Sequence, residues 1–143
     1  MRNYAEAVLN HLDRRAVQYA DVRVVDSRER NLATKNGKVR TTSSDESVGL
    51  GVRVLAQGCW GFASTDDLSK ASLAAVAARA LAIARASALA KTKDVVLAAE
   101  EKIVATWVSP FRIDPFSTTV EANLDLLHRA DAEMRAVAGI TLA

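Results

Sequence analysis

The first third of the chain changes from helical to alternating hydrophobic spacing. Apolar residues four apart predict an amphipathic helix over about 2–18; they are Tyr4, Val8, Leu12 and Ala16. From Ala20 polar and apolar residues alternate, which predicts a long strand to Lys35 with a bulge near Asp26. Asn36-Gly37 follows, the dipeptide that most readily supplies the two positive φ angles of a tight hairpin. The chain is therefore predicted to return as an antiparallel strand over 38–42.

The polar run Ser43–Ser47 is interpreted as a solvated turn rather than a calcium loop, because the central glycine of a calcium loop is missing. Two further strands are predicted after it. The first covers about 48–54 and is apolar on one face. Gln57-Gly58 predicts the next turn, after which Trp60 and Phe62 share one face of a strand and are expected to be core residues. The centre of the chain is thus predicted to be a four-strand antiparallel meander.

The other face of the 48–54 strand carries Gly49, Gly51 and Arg53 and is nearly bare. Two glycines on one face allow a helix, a second chain or an extended peptide to approach the backbone closely. They are not a dinucleotide fingerprint, because no third glycine follows and no helix begins directly after them. We therefore take these three residues as a candidate strand facing a peptide or a partner.

The second half of the chain is mainly helical. Ser69 is a plausible N-cap for an alanine-rich helix to about Ala86, and Thr118 with Glu121 has the form of a capping box for a helix to about Val137. Between them, residues 103–108 alternate as a fifth strand that Pro110 closes. The predicted fold class is α+β, with the antiparallel meander packed against about three helices in a single domain over 1–143.

Composition narrows the possible functions. The length suits one domain, and 27 alanines limit the supply of large core side chains. The 19 Lys and Arg against 17 Asp and Glu are spread along the chain, so direct nucleic-acid binding is not expected. A signal-peptide pattern is absent from the first ten residues and no membrane-spanning stretch is expected, so the predicted location is cytoplasmic, away from membranes.

Catalytic and metal-binding residues are not predicted within the chain. One cysteine cannot form an internal disulfide, and two histidines supply few zinc ligands. His11 and His128 lie on different predicted helices without acidic residues at ligand spacing, and Cys59 has no histidine partner that the sequence identifies. All three are interpreted as structural or solvated residues.

The chain contains an ordered series of short segments: Tyr19-Ala20-Asp21-Val22-Arg23, Asn36-Gly37-Lys38-Val39, Gly49-Leu50-Gly51-Val52-Arg53-Val54, Gly58-Cys59-Trp60-Gly61-Phe62-Ala63-Ser64-Thr65, Asp67-Leu68 and Ile113-Asp114-Pro115-Phe116. Together these segments resemble the N-terminal domain of the TldD/PmbA family. The resemblance covers about residues 3–142, with later matches closer to the TldD branch than to PmbA (TldE).

The resemblance implies a zinc metallopeptidase, a hydrolase in which a TldD subunit pairs with a TldE/PmbA-like subunit in the proteolysis of unfolded or modified peptides. Such proteins are also labelled modulators of DNA gyrase. The family holds zinc with a His-Glu-x-x-x-His motif and a later cysteine, and none of these positions matches this sequence. The resemblance therefore implies a non-catalytic N-terminal domain that forms part of the peptide channel and the subunit interface, with zinc expected only in the full-length protein.

The chain is accordingly expected to be the first part of a longer protein, since Ile140-Thr141-Leu142 resembles the opening of another strand. Its partners would be the remainder of the TldD-like chain, a TldE/PmbA-like subunit and a peptide substrate. Two alternatives stay open from the sequence. One is a stand-alone binding or regulatory module of the gyrase-modulator type, and the other is a TldE-like subunit without a metal site.

Overall fold

A computed structural model describes residues 2–13 and 15–143, which divide into two compact units. Unit 1 takes its described residues from 1–27 and 46–100, and unit 2 consists of 28–45 and 101–143. The two long strands contribute residues to both units. The helices and strands are α1 (Arg2–Asn10), β1 (Tyr19–Lys35), β2 (Lys38–Ala56), β3 (Cys59–Thr65), α2 (Lys70–Ala88) and α3 (Val120–Ala136).

The three strands form one antiparallel sheet in the order β1-β2-β3, which confirms the α+β prediction. Both connections are tight turns. Asn36 and Gly37 have φ angles of 50° and 74°, and Gln57 and Gly58 have 52° and 73°. Positive φ at both central residues matches the right-handed twist of the flanking strands, so the two predicted hairpins are confirmed.

The core of unit 1 lies between one face of the sheet and α2. Val52 pairs with Ala63 and Val54 with Gly61, so these side chains share the covered face. Opposite them α2 presents a buried stripe, and α1 adds the fully buried Val8. The stripe consists of Leu73, Val76, Ala77, Ala80 and Ala84.

Gly61 sets how closely α2 approaches β3. A Cβ atom at this position would collide with the backbone oxygen of Ala80 and the backbone nitrogen of Ala84. The alanines of α2 and this glycine together bring the helix backbone directly onto the strand. Glycine at position 61 is thus required by packing.

The predicted start of α2 is confirmed. The Ser69 side chain accepts a hydrogen bond from the backbone N–H of Ser72 at 3.3 Å, as an N-cap does. Among the described residues, α2 is the one helix with the length and apolar composition of a membrane span, although no membrane-spanning stretch was expected from the sequence. The core helices of soluble proteins have the same composition, and α2 places its stripe against β3.

Unit 2 contains α3, whose N-cap is Thr119 rather than the predicted Thr118. A single 3-10 turn at Pro115–Ser117 precedes it. Asp131 of α3 is only 2% exposed and pairs with Arg135 at 3.0 Å. The pair joins two side chains one turn apart on α3.

Four sequence predictions are wrong in detail. Residues 43–47 belong to β2, so the sheet has three strands rather than four among the described residues. The polarity of residues 43–47 indicated exposure to solvent, but strand pairing holds their backbone extended. Residues 103–108 and 140–142 form no strand. Helix α1 ends at Asn10, and nearby the Asp13 side chain accepts the backbone N–H of Arg15, a local bond that competes with helix. Arg14, within the predicted helix, lies outside the described residues.

Candidate functional site

The second face of the sheet in unit 1 is open and forms a groove. Because the register pairs Gly51 with Ser64 and Arg53 with Phe62, these four residues lie on the face opposite to α2. The groove has a volume of about 640 Å³. We call it the β2–β3 groove; its lining residues are Asp21, Arg23, Val25, Gly49, Leu50, Gly51, Arg53, Phe62, Ser64, Thr65 and Asp66.

The two candidate glycines have different roles in the groove. A Cβ at Gly51 would lie 3.0 and 3.2 Å from two ring carbons of Phe62, so the ring lies directly over this glycine. A Cβ at Gly49 would meet its nearest atom, the backbone oxygen of Thr65, at 3.7 Å, which is an ordinary contact. Gly51 therefore leaves room for the phenyl ring to lie over β2, and Gly49 leaves the neighbouring floor of the groove without a side chain.

Arg53 forms a fixed cationic side of the groove. Its Nε and Nη2 atoms donate to Oδ2 of Asp21 at 2.9 and 2.7 Å, and its guanidinium carbon lies 4.5 Å from the ring centroid of Trp60. Trp60 in turn meets Tyr19 edge to face at 5.8 Å between centroids. The hydrogen bond to Asp21 and the charge of that carboxylate raise the pKa of Arg53 above its ordinary value, so the side chain is always charged.

Phe62 corrects the expectation that the aromatic residues of β3 are core. Phe62 is 57% exposed, and Trp60 is half-buried on the same open face. Period-two alternation shows which residues share a face, but it does not show which face a helix covers. Here α2 covers the face of Gly61 and leaves the aromatic face to solvent.

The structure brings the three predicted residues Gly49, Gly51 and Arg53 together in one groove. Sequence reasoning missed Asp21, which lies 32 positions before Arg53 and becomes its partner only through strand pairing. It also missed Phe62 as a groove residue. The alternation around Phe62 was visible in the sequence, but the side of β3 that faces solvent was not.

A family model described as PmbA/TldA metallopeptidase domain 1 matches residues 20–84. Residues 20–84 therefore resemble a PmbA/TldD first domain. This domain includes every residue that lines the β2–β3 groove. The groove therefore belongs to the domain itself, and the residues after position 84 are not needed to build it.

Two curated relatives agree with this assignment. A metalloprotease of Methanothermobacter thermautotrophicus is 38% identical over 68 residues, which are 48% of this chain and 15% of the relative. A metalloprotease of Methanocaldococcus jannaschii is 25% identical over 109 residues, which are 76% of this chain and 24% of the relative. The chain thus spans less than two thirds of the length of either relative.

The metal that these names imply does not fit the described residues of this chain. Among residues 2–13 and 15–143, no group of three or more His, Cys, Asp or Glu side chains is arranged to hold a metal ion. Cys59 is a half-buried free thiol at the start of β3. The groove itself presents backbone and apolar surface beside the ion pair of Arg53 and Asp21.

Proposed function

We propose that this chain is the non-catalytic first part of a TldD-like zinc metallopeptidase that cleaves unfolded or modified peptides. In this proposal the β2–β3 groove forms part of the wall of the peptide channel. The chain also contacts the remainder of the protein and a TldE/PmbA-like subunit. The observation that carries the proposal is an open groove lying entirely within the matched first domain, in a chain whose described residues offer no metal-holding group.

The strand β3 supports an extended peptide as the occupant of the groove. In the described sheet β3 has a single neighbour, β2, so its other edge presents backbone N–H and C=O groups that an added strand can pair with. Its seven residues extend over about 23 Å at roughly 3.3 Å per residue. An extended peptide segment of the same length could pair along this edge, and a substrate that lacks folded structure can adopt that conformation.

The groove beside this edge suits the alternate side chains of such a peptide. Its volume of about 640 Å³ is in the usual range for ligand sites, roughly 300–1,000 Å³. Phe62 offers apolar surface, whereas the Arg53–Asp21 pair offers charge at a fixed position. Backbone pairing at the edge would provide affinity without sequence selection, and the groove would provide a mild preference for particular side chains.

The test is peptide binding to the purified chain, measured by calorimetry with an unstructured peptide of mixed sequence. Gly51→Val places a branched side chain where the Phe62 ring lies, so we expect binding to weaken at least about tenfold. The control is Ala78→Val, which introduces the same side chain at an exposed position of α2 that does not line the groove. Equal affinities of the two variants, with both folded by circular dichroism, would remove the groove from the proposal.

The non-catalytic part is tested separately. The purified chain is incubated with zinc, and both bound metal and peptide hydrolysis are measured with and without a chelator. We expect no stoichiometric zinc and no chelator-sensitive hydrolysis. One equivalent of bound zinc together with chelator-sensitive peptidase activity would overturn the proposal.

A further inference from the structure

An apolar stretch of unit 2, residues 103–113, is exposed along its whole length and belongs to no helix or strand. Every residue from 101 to 115 is exposed, and 103–108 belong to no helix or strand. Yet the segment contains six large apolar side chains that are 65–87% exposed. These are Ile103, Val104, Trp107, Val108, Phe111 and Ile113.

The exposed area is large for a solvated loop. Aromatic side chains offer about 150–250 Å² each, and the aliphatic ones roughly 60–120 Å² from their burial energies. Scaled by their exposed fractions, the six side chains present on the order of 400–700 Å² of apolar surface. A partner in a standard interface buries about 800 Å², so this segment has nearly enough surface for one side of an interface.

The positions of the apolar side chains along the segment indicate what kind of structure could bury them. Ile103 and Trp107 fall on one face of an extended chain, whereas Val104 and Val108 fall on the other, so both faces are apolar. Strands that are apolar on both faces are central strands covered on both sides. A second copy of the same short segment would supply one neighbouring strand and would leave both faces uncovered.

We infer that residues 103–113 are a docking strand, inserted into a sheet of the remaining part of a longer PmbA/TldD-type polypeptide. The inference rests on the proposed function to the extent that the partner is the rest of that polypeptide. The matched segments are only 15% and 24% of the two relatives, and the matched family model is a first domain, so such proteins have ample chain to build this cover. Pro110 ends the run that can pair in a ladder, and Phe111 and Ile113 continue the contact beyond it.

The test is hydrogen exchange at the backbone amides of 103–108, compared between the 143-residue chain and the longer polypeptide encoded in the same reading frame. In the 143-residue chain these amides should exchange as in an unprotected peptide, and in the longer polypeptide at least about 100-fold more slowly. Equal exchange in the two proteins, or a reading frame that ends at Ala143, would overturn the inference.

Variants test whether the side chains cause the protection. In the longer polypeptide Trp107→Glu should abolish most of the protection at 103–108. The matched control Leu89→Glu places the same charge on a side chain that is 90% exposed and lies outside the segment, and it should leave the protection unchanged. Equal effects of the two variants would contradict a docking strand.

Two other outcomes separate competing explanations. If the 143-residue chain sediments as a dimer that Trp107→Glu converts to a monomer, the occupant is a second copy and the inference is wrong. Because exchange protection requires no peptide and no peptidase activity, docking can succeed while groove binding fails. Failure of Gly51→Val to affect peptide binding would therefore count against the proposed function alone.

Discussion

Replacing Gly61 by alanine tests whether α2 packs directly on the backbone of β3. The added Cβ would collide with backbone atoms of Ala80 and Ala84, and it would lie 3.0 Å from the Cα of Ala84. Backbone atoms in the middle of a helix cannot rotate away as the end of a flexible side chain can. The whole helix must therefore move outward by about 1.5 Å or more to reach ordinary contact distances of roughly 3.5–4.0 Å.

The size of the effect follows from two opposing terms. Overpacking a core costs typically 1–3 kcal/mol, and a shift of α2 along its full buried stripe belongs near the upper end of that range. Glycine to alanine also restricts the unfolded chain, which stabilises by about 0.4–1 kcal/mol. We expect a net loss of about 2 kcal/mol, which corresponds to roughly 8–16 °C in the melting temperature of a unit of this size.

The measurement is urea unfolding followed by tryptophan fluorescence in a Trp107→Phe background. Trp60 is then the single tryptophan and reports on unit 1. The control is Gly49→Ala, where the added Cβ has only an ordinary contact at 3.7 Å, so its midpoint should stay equal or rise slightly. The reasoning is refuted if Gly61→Ala and Gly49→Ala unfold at the same urea concentration with the same slope.

Four further predictions concern the core, the cap of α2, the groove and metal. Leu50→Ala should lower the free energy of unfolding by about 2–5 kcal/mol because Leu50 is 2% exposed, whereas Leu89→Ala should change it by less than about 0.5 kcal/mol; similar urea midpoints would contradict this. Ser69→Ala should cost about 1 kcal/mol through loss of the N-cap bond, whereas the control Ser87→Ala, at an exposed position in the last turn of α2, should cost nothing; equal losses would argue against the cap. Arg53→Lys removes the planar guanidinium that binds Asp21 and lies over the ring of Trp60, so the emission maximum of Trp60 should shift. An unchanged spectrum would mean that the contact is absent in solution. A chelator should leave the thermal midpoint of the chain unchanged because its described residues form no metal-holding group, and a fall in the midpoint would indicate a bound metal.

Local patterns in the sequence predicted the elements that depend on local chemistry. Asn and Gly adopt positive φ easily, and they occupy three of the four central positions of the Asn36-Gly37 and Gln57-Gly58 turns. Ser69 begins α2 because its hydroxyl accepts a free N–H of the first turn. The same reasoning failed for 43–47 and 103–108. The polar residues 43–47 were predicted to form a turn but belong to a strand, and the alternating residues 103–108 were predicted to form a strand but do not.

The sequence by itself determined the turns, the start of α2 and the sharing of a strand face by Gly49, Gly51 and Arg53. Only the tertiary structure decided which face of the sheet α2 covers. That choice depends on the missing side chain at Gly61, which admits the helix backbone, and it leaves Phe62 in the groove. Likewise the Arg53–Asp21 pair exists only because strand pairing joins positions that are far apart in the chain. Alternation and φ preferences depend on residues that are adjacent in the chain. The sheet face that a helix covers, and the side chains that pair across strands, depend on residues that the fold brings together.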